Sequence, residues 1–110
     1  MFAPQTTQGA SLWAQASNTF SAAGTSAQTP TLPGGAVGTP RVVRASGSVS
    51  GYVTVNISNT QTVIVPVNPN APYTEVALPP TAFPTKTGQV SVTLGADGAG
   101  TIRCLIGFSP

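Results

Sequence analysis

The chain has 110 residues, and only 5% are charged, against about 25% in an average soluble domain. Its net charge of +2 comes from four basic and two acidic side chains, with no histidine. That inventory excludes a phosphate-tracking basic surface and removes the commonest general base and metal ligand. The 40% hydrophobic share permits a core, so one domain with a neutral Ser, Thr, Asn and Gln surface is expected. Such a surface protects weakly against association and suits a subunit that sits against other protein.

Residues 1–40 contain no charged side chain. Their large apolar residues are Phe2, Leu12, Trp13, Phe20, Leu32 and Val37. Ser11 to Ala23 could form a short helix capped by Ser11, with Leu12, Trp13, Ala16 and Phe20 on one face. Gly24 to Pro40 is broken by Pro30, Pro33, Gly34, Gly35, Gly38 and Pro40 and reads as extended chain. Ordering forty residues costs roughly 40–80 kcal/mol of backbone entropy. Offsetting that takes on the order of 1,600–3,200 Å² of apolar burial, whereas six large side chains offer about 150–250 Å² each. The segment therefore reads as an extended N-terminal arm held by other subunits, with residues 41–110 as the β-domain. Phe2, Leu12, Trp13 and Phe20 are its candidate partner anchors. Arg41 and Arg44, on opposite sides of an extended junction, could pair with a partner's carboxylate.

From Arg41 the pattern changes. Arg41 to Ala45 reads as a short strand. Gly47 to Ser58 is the most regular stretch, with Val49, Gly51, Val53, Val55 and Ile57 on one side and polar residues on the other. After an Asn59-Thr60-Gln61 turn, Thr62 to Val67 is a third strand, interrupted at Pro66, which suggests an edge or a strand end. Tyr73 to Leu78 is a fourth, followed by a Thr81 to Gly88 loop with Phe83 beneath it. Gln89 to Leu94 and Thr101 to Phe108 read as a hairpin through Gly95–Gly100. About six antiparallel strands with Gly/Pro-rich connections predict an all-β sandwich or small barrel. The predicted core is Val49, Val53, Val55, Ile57, Val90, Val92, Leu94, Ile102, Cys104 and Ile106.

No catalytic constellation emerges, so the chain is read as a non-enzyme. Glu75 and Asp97 are the only side-chain carboxylates, and Asp97 stands in an Asp-Gly turn that favours it for local reasons. Cys104 lies between Ile102 and Ile106 in the alternation, with no histidine to activate it, and no disulfide partner exists. Gly95, Gly98 and Gly100 lack the lysine and following helix of a phosphate loop. No cofactor, metal, nucleic acid or small-molecule substrate is expected. Met1 to Gln5 has no basic start and no apolar stretch follows it, and no run approaches the ~20 residues of a transmembrane helix. The expectation is a protein used without crossing a membrane by the usual route.

The uncharged Ala/Ser/Thr/Gln segment followed by strands such as Val49 to Ile57 and Val90 to Leu94 resembles the cement or decoration proteins of tailed-bacteriophage capsids. The resemblance implies a structural protein, made in the host cytoplasm and located on the virion surface. It would cluster as a homo-oligomer, a trimer in preference, on the major capsid protein and stabilise the head. The alternative is a receptor-binding module of a head fibre, tail tip or adhesin, with Tyr52, Tyr73 and the Pro-rich loops as its surface.

Overall fold

The computed structural model describes residues 12–30, 38–57, 61–78 and 90–109. These hold eight strands: β1 Leu12–Phe20, β2 Gly24–Gln28, β3 Thr39–Gly47, β4 Gly51–Ile57, β5 Gln61–Val67, β6 Thr74–Ala77, β7 Val90–Ala96 and β8 Gly100–Ser109. They form two four-stranded antiparallel sheets, ordered β1-β8-β3-β6 and β2-β7-β4-β5. The expected all-β sandwich is the architecture found, with eight strands in place of about six.

The pairing follows a simple rule. β4 and β5 form a hairpin, and outward from that tip β3 pairs with β6, β2 with β7 and β1 with β8. The chain is one long hairpin, rolled up so that β3 also meets β8 and β4 meets β7. This is the jelly-roll arrangement of two interlocked Greek keys. The crossings β1 to β2, β3 to β4, β5 to β6 and β7 to β8 gather at one end, where Phe20 faces Gly100 and Gly51 faces both Ala96 and Val67.

Alternation sets which side chains face inward. Nine of the ten predicted core residues are buried, and Val49 is half-buried against them. Ala14, Ala16 and Phe20 of β1, Val43 and Ala45 of β3, Val65 and Val67 of β5, and Phe108 complete the cluster. Pro66 sits on β5, an edge strand, where its missing N–H interrupts no ladder. Close approach fixes the glycine at 51: a Cβ there would lie 2.0 Å from the Gly95 carbonyl oxygen.

Two expectations are corrected. The expected hairpin does not form, because β7 and β8 belong to different sheets. Each is a central strand with neighbours on both sides, so Asp97–Ala99 carries the chain from one layer to the other. Val92 and Leu94 then face Ile102 and Cys104 across the core instead of lying beside them. The division at residue 40 also fails. Residues 12–28 are extended, as expected of the arm, but as strands rather than a helix followed by free chain. β1 pairs with β8 along all nine of its residues, and a cut after Pro40 would fall inside β3. The ordering entropy of β1 is offset within the chain by this ladder and by the shared core that covers Ala14, Ala16 and Phe20. Phe2, the Asn59-Thr60 turn and the Thr81 to Gly88 loop with Phe83 lie outside the described residues.

A chain beginning at Arg41 would lose β1 and β2 and bare one side of both β8 and β7. It is expected to show no cooperative denaturant transition by circular dichroism. A sharp transition with full strand content would show residues 1–40 to be dispensable.

Candidate functional site

Every charged strand residue among those described lies in the β1-β8-β3-β6 sheet: Arg41 and Arg44 on β3, Glu75 on β6 and Arg103 on β8. The outer face of that sheet carries a polar cluster built from Arg44, Glu75, Trp13 and Tyr73. Arg44 and Glu75 are cross-strand partners, and Arg44 Nε donates to Glu75 Oε2 at 2.5 Å. This hydrogen bond pushes the Arg44 pKa further above its ordinary value, so the guanidinium stays charged. Its Cζ lies 4.9 Å from the centroid of the Trp13 ring and 5.0 Å from that of Tyr73. A cation between two aromatic faces is attracted by both ring quadrupoles. Trp13 stands opposite Gly107 on the neighbouring strand, which has no side chain to hold the indole away.

The six candidate partner residues separate. Trp13 and Arg44 are brought together. Leu12 is half-buried against the core, and Phe20, 8% exposed, belongs to the core itself, where no partner reaches it. A bulge between Pro40 and Val42 breaks the alternation on which opposite sides for the two arginines depended. Arg41 Nε donates to Ser109 Oγ at 2.9 Å. The carboxylate expected of a partner for Arg44 is supplied by Glu75 of the same chain. No local pattern points to Glu75 as that partner, because pairing across strands 31 residues apart needs the register, which local alternation does not contain.

Beside this cluster, at the end where the crossings gather, Ser46, Gly47, Ser48, Pro72, Thr101 and Arg103 line an open groove of about 300 Å³. Arg103 is exposed there, with Ser17 and Ser46 as its cross-strand neighbours.

The other sheet differs. No residue of β2, β4, β5 or β7 is charged. Two outward rows cross all four strands: Ala27, Thr93, Thr54 and Ile64, then Thr25, Gly95, Tyr52 and Pro66. Ile64 is 65% exposed and Tyr52 38%. The Tyr52 ring lies over Gly95, where a Cβ would come within 2.4 Å of it.

The described carboxylates and the thiol are not gathered into one site. Glu75 is engaged by Arg44, and Asp97 stands in the crossing between the sheets, its backbone N–H donating to Ser50 O at 2.9 Å. Cys104 faces inward, 1% exposed, and burial pushes its thiol up to about 12, so it is protonated and unreactive at neutral pH.

No family model and no curated protein matches the chain. Among solved structures it is similar to the crystal structure of a Bacillus thuringiensis Cry1Da tryptic core variant, with 13% sequence identity and a TM-score of 0.44. The match covers 82% of this chain and 18% of that one. A likeness at this level says nothing about what either protein does.

The thiol makes stability depend on pH. Because its folded pKa lies above its ordinary value of 9.0, its contribution is complete below pH 9 and is lost as pH rises from there toward 12. Between pH 8 and 10 the wild type should lose about 1.4 kcal/mol more than Cys104→Ala does, measured by denaturant unfolding. Equal losses would mean that the thiol ionises as freely in the fold as outside it.

Proposed function

We propose that the chain is a structural subunit of a virus particle, a cement or decoration protein of a tailed-phage head. In this reading the outer face of the β2-β7-β4-β5 sheet lies against the shell. One observation carries it: a complete sheet face without a charged residue, on which Ile64 and Tyr52 are exposed. Covering a charged face strips ions of water at high cost, whereas hydroxyls and apolar groups are covered cheaply when their hydrogen bonds are met. The cores of protein interfaces are depleted in charge for the same reason.

The size of the face supports repeated contacts over an isolated pair. Three strands of seven residues and one of five span about 400 Å² at ordinary strand spacings. A stable interface of standard size buries about 800 Å² per partner. A face this small holds best where each copy is tied to several neighbours, as in a shell or a ring of its own copies. The fold is compatible, since jelly rolls serve as capsid and as lectin domains, but a fold shared so widely decides nothing by itself. The partners proposed are the major capsid protein and further copies of the chain, with the virion surface as its place.

Ile64→Lys puts a charge at an exposed edge-strand position and should leave stability within about 0.5 kcal/mol of wild type. It should weaken binding to heads stripped of the protein at least tenfold in a cosedimentation assay. Wild-type binding by this variant would remove the face from the contact. Failure of the wild type to bind heads at all would refute the reading.

A further inference from the structure

We propose that the opposite face, the outer side of the β1-β8-β3-β6 sheet, carries a binding site for a carboxylated saccharide in the groove at Arg103. The site lies on the other side of the sandwich from the proposed shell contact and does not depend on it.

The charge inventory points to an anion. The chain has two side-chain carboxylates, both among the described residues. Glu75 is taken by Arg44, and Asp97 forms no ion pair with Arg103. The Arg103 guanidinium is thus an exposed cation facing the groove with no acidic side chain in the chain to neutralise it. Arginine presents a planar fork of donors that matches a carboxylate. One arginine in the groove suits a ligand with one well-placed negative group and is too little for a nucleic-acid backbone.

The rest of the lining suits sugar hydroxyls, each of which both donates and accepts. Ser46, Ser48 and Thr101 supply hydroxyls of the same dual character. Ser48 Oγ accepts from the Thr101 backbone N–H at 2.9 Å, which fixes the oxygen and leaves its proton to donate. Thr101 Oγ1 is in turn 3.2 Å from Thr19 Oγ1. Pro72 closes one wall, and next to it Tyr73 is 48% exposed. A pyranose ring has an apolar face of C–H groups that packs on an aromatic ring, and Tyr73 offers one held in advance. Its ring is stacked on Arg44, which Glu75 and Trp13 hold in turn. Groups ordered before the ligand arrives lose little entropy on binding. The groove, about 300 Å³ and open along one side, is at the small end for ligand sites. It accepts a short stretch of a saccharide chain.

The test uses the full chain at low salt, with trigalacturonate, a hyaluronan tetrasaccharide and sialyllactose as probes. Neutral galactotriose and a triglutamate peptide are the comparisons. Calorimetry measures affinity, and fluorescence reports on Trp13, the only tryptophan, at the edge of the same cluster. At least one carboxylated sugar should bind saturably, and galactotriose at least tenfold more weakly. Arg103→Gln and Tyr73→Ala, checked for wild-type circular dichroism, should each cost tenfold or more. Tyr73→Phe and Ile64→Lys should bind as wild type. The proposal is overturned if none of the three sugars binds, or if Arg103→Gln binds as wild type. It is equally overturned if triglutamate binds as tightly as the best sugar, which would make the groove a reader of acidic peptides.

Discussion

The structure depends on β8. It is the longest strand, and it is paired on one side with β1 and on the other with β3. Its inward residues Ile102, Cys104, Ile106 and Phe108 are all buried. Because β1 comes from the beginning of the chain and β8 from its end, the two ends of the sequence are joined by a nine-residue ladder. The same nesting pairs β2 with β7 and β3 with β6. Each sheet and the core between them are therefore assembled from strands far apart in the sequence.

Nesting also separates the two outer faces chemically. Strands β3, β6 and β8, which carry all the strand-borne charge, fall in one sheet, and the four uncharged strands make up the other. One face therefore holds an ion pair, two aromatic rings and a free arginine beside a groove. The other is a plane of threonine, tyrosine, proline and isoleucine that can be covered without desolvating a charge. On this account the molecule has two sides with two tasks. At a charge content of 5%, placement of a few ionic side chains decides which surface can meet protein and which can meet a polar ligand.

Much of the interior was legible from alternation alone. Val53, Val55 and Ile57 face inward as their period-two spacing requires, and Pro66 falls on an edge strand, one of the two places that its missing donor suggests. β1 was legible too, but by the wrong period. Leu12, Ala14, Ala16 and Phe20 recur at even spacing with Gln15, Ser17 and Thr19 between them, while Leu12, Trp13, Ala16 and Phe20 also fit a helix face. Ser17, Asn18 and Thr19 are poor helix formers, and β8 lacked a neighbour, so the strand prevails. Whether Gly95–Gly100 turns within a sheet or crosses between sheets has no local signature, because both arrangements bury the same side chains. For the same reason the Arg44–Glu75 pair and the Trp13–Arg44–Tyr73 stack appear only with the register. Each joins residues about 30 or more positions apart in the sequence.

The central claim is that the uncharged sheet is the face this protein keeps covered. An electron cryomicroscopy map of the native assembly containing the chain tests it most directly. The account predicts the β2-β7-β4-β5 sheet turned toward the shell, with Ile64 and Tyr52 in contact and the Arg103 groove facing solvent. A map in which Ile64 faces solvent and the Arg44–Glu75 face is covered would contradict it.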